Sequence, residues 1–166
     1  MKKDISIWQF CGFAFTSLFG TLLHFLYDFT NKSKISALFS SVNESTWEHM
    51  KLLFFPLFIF AIIESRFFKD TRGFLCTKLA GTLIGLITIP VLFYTLNGAF
   101  GKTPDYINIA IFFVSAAVVY ITEGYLLKKD FCFLSPALSF GIFCFIAILF
   151  FIFTFYPPKL PIFTAP

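Results

Sequence analysis

Charged residues are scarce in this 166-residue chain, since Asp, Glu, Lys and Arg together make up only 13% of it. A soluble domain of this length is typically about one quarter charged. Histidine occurs only twice, and the basic residues are scattered between apolar runs instead of being clustered. These shortages exclude a water-soluble globule, a disordered chain and a nucleic-acid-binding protein.

What the chain has in excess is apolar sequence, because hydrophobic residues make up 58% of it and 28 residues are phenylalanine. Five runs reach the roughly 20 mostly apolar residues that a membrane-spanning helix needs. The sequence therefore predicts an all-α polytopic membrane protein, a single domain built as a bundle of five transmembrane helices. The predicted spans cover residues 5–27, 46–65, 74–96, 106–127 and 136–156.

Local signals mark several of these boundaries. Thr103-Pro104 and Ser135-Pro136 each pair an N-capping residue with a proline suited to the first helical turn. The longest loop joins the first two spans, and it is expected to hold a short interfacial helix near residues 36–41.

The distribution of basic residues predicts how the chain is oriented in the cell membrane. With the N-terminus in the cytoplasm and the C-terminus outside, eight of the thirteen Lys and Arg residues fall on the inner side and five on the outer side. Cytoplasmic loops are normally the ones enriched in Lys and Arg. The inner residues also lie close to the helix ends, where this rule has most weight.

Small residues and cysteines are expected to serve packing. Gly12, Thr16 and Gly20 recur every four residues in the first span, and Gly81 and Gly85 do so in the third, which favours close approach of helices. The cysteines form no C-x-x-C pair and no metal-binding spacing, so we expect free thiols in apolar surroundings. They are Cys11, Cys76, Cys132 and Cys144.

Two glutamates, Glu64 and Glu123, lie near the inner ends of their spans. Each precedes a basic loop by about one turn, so the favoured interpretation is a carboxylate that reaches a basic neighbour at the interface. A proton or cation relay is the alternative.

A richer polar set falls at the outer ends of the helices. His24 and Asp28 are four residues apart and should share one face of the first helix. Glu44, Glu48 and Lys51 have the spacing of a helical stripe, with His49 beside it. The remaining members are Asn43 and Trp47 in the same run, with Asp105 and Asn108 at the start of the fourth span.

Capping explains part of this set without any function. Ser41 with Glu44, and Ser45 with Glu48, both match the capping box that satisfies the first amides of a helix. Trp47 suits an interfacial aromatic belt. Capping does not explain His24, Asp28, His49 and Lys51, so a structural interface and a functional site both stay open.

The run from Val42 to Pro56, together with Tyr156 to Pro161, resembles a family of small bacterial multi-helix membrane proteins of unknown function. That resemblance implies a membrane location and no particular activity. Asn43-Glu44, Trp47 and His49 also resemble a motif of ceramidase-like and adiponectin-receptor-like membrane hydrolases, at a shorter spacing. The later His-x-x-x-His of those hydrolases is absent here, so the similarity does not imply their three-histidine zinc site.

Three functions fit these residues. The first is a membrane enzyme that uses a divalent metal such as zinc, acts on a lipid or small amphiphile, and has His24, Asp28 and His49 as ligands. Glu48 or Glu44 would be its general base. Asn43, Trp47, Lys51, Asp105 and Asn108 would bind the ligand or support the site.

The second function is a non-catalytic membrane module, such as a transport accessory, an immunity or resistance protein, or a lipid or small-ligand binder. The third is a haem b carrier with His24 and His49 as its axial ligands. Neither the reaction nor the oligomeric state follows from the sequence.

Overall fold

A computed structural model describes residues 2–68, 71, 73–129 and 132–165. These residues form six α-helices and a short 3-10 helix at Pro161–Phe163, with no strand in the described ranges. The helices are α1 (Lys2–Phe29), α2 (Lys34–Phe39), α3 (Thr46–Ser65), α4 (Phe74–Phe100), α5 (Asp105–Leu127) and α6 (Pro136–Phe155).

Five of the described helices are long and apolar enough to cross a membrane, namely all except α2. The prediction of an all-α protein with five such helices is therefore confirmed. These helices are compatible with a multi-pass membrane protein. The short helix expected in the first loop is also present as α2.

The two predicted helix starts had different outcomes. The Ser135 side chain accepts a hydrogen bond from the Leu138 amide, and Pro136 opens α6 as expected. The prediction for α5 was wrong by one residue, because Pro104 itself occupies the N-cap position. Thr103 is left free to bond elsewhere, and its hydroxyl donates to Asn97 instead.

Helix α3 is the centre of the bundle. Twelve of its twenty residues are buried, and it packs against α1, α4, α5 and α6. Helix α1 also packs on α5, and α4 packs on α5 and α6. The outer faces of α1 and α6 remain exposed and apolar, as expected for surfaces that contact lipid.

Side-chain contacts show that the bundle has two distinct ends. His24 near the end of α1 contacts His49 near the start of α3, and Lys51 of α3 bonds Thr154 near the end of α6. We call this the histidine end. Glu64 near the end of α3 lies against Lys78 near the start of α4, which defines the opposite end.

Small residues bring the helices together as predicted. A Cβ atom at Gly12 or Gly20 of α1 would press into the rings of Tyr120 and Phe112 on α5. A Cβ atom at Gly85 of α4 would press into Val119 of α5, which is fully buried. These glycines therefore permit the close contacts of α5 with its two neighbours.

The expectation of four free thiols was wrong for two of the cysteines. Cys76 in the first turn of α4 and Cys132 in the loop before α6 form a disulfide, whereas Cys11 and Cys144 are free. The two bonded cysteines are 56 residues apart, so only the tertiary structure brings them together. Disulfides persist in oxidising compartments. The disulfide lies at the end of the bundle that the basic residues predict to be cytoplasmic, where thiols normally stay reduced. The two signals therefore favour opposite membrane orientations, and the cytoplasmic N-terminus remains a prediction.

We expect Gly85→Ala to lower the free energy of unfolding by about 1–3 kcal/mol, the usual cost of overpacking. Gly98→Ala is the matched control, because no atom lies within 4 Å of a Cβ atom built at this second glycine of α4. It should be neutral or stabilising by up to about 1 kcal/mol. Thermal unfolding in detergent, followed by circular dichroism, gives both values. Equal stabilities would contradict the tight α4–α5 contact.

Candidate metal centre

The segment before α3 sets the positions of the candidate ligands. The Ser45 hydroxyl caps α3 by accepting from the Glu48 amide, and the Ser45 amide donates to Asn43 Oδ1 at 2.9 Å. These bonds fix a tight turn just ahead of the helix. Glu44 therefore lies in the loop, and His49 lies one turn inside α3.

The three candidate ligands converge although they come from α1, the loop and α3. Glu44 Oε1 lies 3.9 Å from His24 Nε2, and Glu44 Oε2 lies 3.5 Å from His49 Nε2. One ligand atom from each residue can be chosen so that all three lie within 4.8 Å of one another. Two imidazole nitrogens and a carboxylate form a ligand set that zinc accepts.

Hydrogen bonds orient both imidazole rings toward this point. His49 Nδ1 lies 3.0 Å from the Ser45 carbonyl oxygen, an acceptor, so Nδ1 carries a proton and the neutral ring would present its lone pair on Nε2. His24 Nδ1 lies 3.2 Å from the Ser41 hydroxyl, which can donate in turn to the His24 carbonyl. Bonds of this kind hold metal-binding histidines in the tautomer that coordinates through Nε2.

Two cavities lie beside these ligands. One, of about 240 Å³, has Glu44, His49, Asn97, Thr103 and Asp105 in its lining beside apolar residues, and we call it the polar cavity. A second cavity of about 510 Å³ shares Glu44, His49 and Asp105 and also reaches His24. The ligand cluster therefore contributes to the wall that the two cavities share.

The larger cavity opens sideways between α1 and α5. Phe25 of α1 and Ile109 and Phe113 of α5 line it, and all three are exposed on the outer surface of the bundle. In a membrane this surface contacts lipid. A molecule with an apolar part could thus reach the ligand cluster without first entering water.

Asparagine side chains shape the wall formed by α4 and α5. Asn97 Oδ1 accepts from the Thr103 amide at 2.9 Å, and the Thr103 hydroxyl lies 3.4 Å from Asn108 Oδ1. These bonds close the α4–α5 connection over the polar cavity. Asp105 and Asn108, both predicted to support the site, line both cavities.

Glu48 and Lys51 belong to a separate buried network. Glu48 Oε2 lies 2.6 Å from Lys51 Nζ and accepts from the Val42 amide at 3.0 Å. Lys51 Nζ also donates to the Ala37 carbonyl oxygen and to the Thr154 hydroxyl. The pair links α2, α3 and α6. These partners engage the Glu48 carboxylate, and its assignment as a general base stays a prediction.

The predicted stripe of Glu44, Glu48 and Lys51 fails for a local reason. Helix α3 begins at Thr46, so Glu44 precedes it and does not share the helical face of the other two. Glu48 also does not complete the expected capping box, since its carboxylate bonds Val42 and not the Ser45 amide.

Three further predicted residues are not among the three grouped ligands. Asp28 is exposed in the last turn of α1. Trp47 packs against Phe150 and Phe163, which ties the C-terminal segment to α3. Asn43 accepts a hydrogen bond in the turn before α3. The predicted roles of these residues at the site stay predictions.

Sequence reasoning missed three residues that contact a candidate ligand or line the adjoining cavity. Ser41 was interpreted as a cap, yet its hydroxyl contacts the His24 ring. Thr103 was interpreted as an N-cap and Lys102 was not singled out, yet both line the polar cavity. No local signal identifies either role, because each depends on a contact between segments.

The fold and this cluster define a class: a helical protein with five membrane-length helices and a possible His–Glu metal site at one end. The chain belongs to a family of unknown function, DUF6512, whose model matches residues 1–165. The resemblance to a family of unknown function is thereby confirmed. No curated protein and no solved structure matches the chain significantly.

Replacing Glu48 tests the buried network. We expect Glu48→Gln to lower the free energy of unfolding by about 3–5 kcal/mol, because Lys51 would be buried without its counter-ion and would either keep an unpaired charge or have to lose its proton. The double variant Glu48→Gln/Lys51→Met removes both charges and should recover most of the loss. Glu44→Gln, at an exposed carboxylate, is the control and should be silent in denaturant unfolding. A normally stable Glu48→Gln protein would contradict the role of this pair.

Proposed function

We propose that this protein is a membrane enzyme that binds a divalent metal such as zinc through His24, Glu44 and His49 and acts on a lipid or small amphiphile. The observation that carries the proposal is the convergence of three ligand atoms within 4.8 Å, with both imidazoles oriented through Nδ1. Asp28, the third ligand expected from the sequence, is replaced by Glu44. The bilayer itself supplies the substrate.

The donor set fits a catalytic type of site better than a structural one. Structural zinc sites are closed by four protein ligands, whereas catalytic sites combine three protein ligands with an open position. Here three ligands face two cavities, and the Glu44 side chain is 65% exposed. Room for water and substrate is therefore available at the cluster.

A bound zinc ion would supply Lewis acidity and make a water molecule easier to deprotonate. Asp105 lines both cavities beside His49 and Glu44, so it is the carboxylate best placed to accept that proton. Asn97 and Asn108 can orient a polar group of the substrate from the same wall. The chemistry that follows from these parts is hydrolysis, in which water adds to a carbonyl carbon and the bond to the leaving group breaks.

The cavities support an amphiphile as the substrate. The sideways opening, with Phe25, Ile109 and Phe113, suits an acyl chain that stays in contact with lipid. The smaller cavity, with Lys102, Asn97 and Asp105, suits a polar headgroup. An amphiphile with its headgroup in the smaller cavity and its acyl chain in the larger one would place the bond between headgroup and chain beside the metal ligands.

The haem alternative is less favoured. Glu44 lies within 4 Å of both Nε2 atoms, in the space that a porphyrin between two axial imidazoles would need. A small ion that uses the carboxylate as a third ligand explains this arrangement directly. A non-catalytic binder would use the same two cavities, so turnover has to separate it from an enzyme.

Zinc titration of the protein in nanodiscs tests the site. Wild type should bind one equivalent of zinc, and His24→Ala or His49→Ala should abolish this binding. Ser41→Ala removes only a supporting hydrogen bond and should weaken affinity by about 10–100-fold. Asp28→Asn, one turn beyond His24 on the same helix, is the matched control and should bind normally. Wild type without zinc, or full binding by both histidine variants, would overturn the proposal.

Turnover then separates the two functions. Zinc-loaded protein should hydrolyse a fluorogenic acyl ester with a long chain faster than its short-chain soluble analogue, and Asp105→Asn should lose this activity while still binding zinc. Zinc binding without hydrolysis of any amphiphilic acyl ester or amide would contradict an enzyme and leave a metal-dependent binder.

A further inference from the structure

Three charged side chains are fully buried at the end of the bundle opposite the histidines. Glu64 of α3 and Glu123 of α5 both place Oε2 at 2.5 Å from the same atom, Lys78 Nζ of α4. Side-chain exposure is 0% for each glutamate and 1% for the lysine. The expectation that these glutamates reach basic loops at the interface was therefore wrong. We call these three residues the buried triad.

The two carboxylates share one cation. Since each Oε2 lies 2.5 Å from Nζ, the two oxygens can be no more than 5.0 Å apart. Lys78 is the one cationic side chain that the described residues place against either carboxylate. Its ammonium group otherwise faces the rings of Phe60, Phe74 and Tyr120. With all three groups ionised, the triad carries one negative charge in excess.

An excess charge at this depth is unfavourable. A buried charge without a partner is costly, and such groups usually become neutral by gaining or losing a proton. The carboxylates also lack hydrogen-bond donors. Oε1 of Glu64 and Oε1 of Glu123 are buried and have no donor among the described residues. A proton on one carboxyl group would remove the excess charge and provide the O–H donor that is missing.

Polar groups connect the triad to a third cavity. The Gln9 amide of α1 lies 3.1 Å from Glu123 Oε2 and 3.0 Å from the Tyr120 carbonyl oxygen, two acceptors that its nitrogen must face. Gln9 and Tyr120 also line a cavity of about 480 Å³ between α1 and α5, together with Ser6 and Lys128 near the helix ends. Gln9 therefore stands between Glu123 and a cavity that extends toward the end of the bundle.

We propose that Glu64, Lys78 and Glu123 form a proton-binding site within the membrane, in which the two carboxylates hold one exchangeable proton and Gln9 connects them to the α1–α5 cavity. A hydronium ion in that cavity gives up the proton: one of its O–H bonds breaks as an O–H bond forms on a carboxylate oxygen, and a neutral water molecule is left. This site is separate from the metal ligands, so its test does not depend on the proposed enzyme activity.

Infrared spectroscopy of the protein in nanodiscs detects the proton directly. At a pH where exposed carboxylates are ionised, wild type should show one carbonyl band of a protonated carboxyl group, which shifts in deuterated water. Glu64→Gln and Glu123→Gln should each abolish it, because the remaining carboxylate then pairs one-to-one with Lys78. Glu44→Gln is the control, at an exposed carboxylate, and should keep the band.

The outcomes that overturn the proposal are equally defined. Absence of the band in wild type, or its survival in both triad variants, would show that the triad holds no such proton. Absence of the band together with saturable binding of sodium ions would assign the charge balance to a metal cation instead. Each single variant should stay folded, since an amide replaces a neutral carboxyl group of the same shape. Loss of folding in both would show that both carboxylates are needed in the ionised form.

Discussion

The burial of α3 determines where its charged side chains can find partners, and so how the other helices pack around it. This helix lies at the centre of the bundle, yet it carries Glu48, Lys51 and Glu64, all of them nearly or fully buried. Ionised groups in such a position must find partners, and breaking a buried pair costs about 3–5 kcal/mol. Glu48 and Lys51 satisfy each other and bond to α6, and Glu64 pairs with Lys78 of α4. The charges of α3 thus select its neighbours.

The same constraint places the candidate metal ligands. Glu48 accepts a hydrogen bond from the Val42 amide, and Lys51 donates one to the Ala37 carbonyl oxygen. The segment between α2 and α3 is therefore bonded to the buried pair at two points. Glu44 lies within this segment and His49 lies next to Glu48. The buried Glu48–Lys51 pair therefore helps to fix the positions of Glu44 and His49, and His24 of α1 completes the group.

The sequence is sufficient to predict the helices, because their length and apolar character are local properties. The five membrane-length helices and the cap at Ser135 follow from such signals. The site was only partly predictable. His24, Glu44 and His49 were all identified as polar residues at one level. Glu44 faces the histidines from the loop before Thr46, whereas Glu48 lies inside α3 and pairs with Lys51, and the spacing of these residues in the sequence does not reveal that difference.

The remaining errors share a physical cause. Glu64, Lys78 and Glu123 come from three helices, and Cys76 and Cys132 are separated by 56 residues, so no spacing within one helix reveals their contacts. Local reasoning assigned the glutamates to nearby basic residues and the cysteines to apolar filling. In the structure, the partners of these groups come from other elements of the fold: Glu64 and Glu123 share Lys78, and Cys76 bonds Cys132.

X-ray absorption spectroscopy at the zinc edge shows whether α1, α3 and the loop before α3 together form a metal site. For protein loaded with one equivalent of zinc, we expect scattering from two imidazole rings and additional oxygen at about 2.0–2.2 Å. Sulfur scattering at about 2.3 Å, or a spectrum without imidazole, would contradict it.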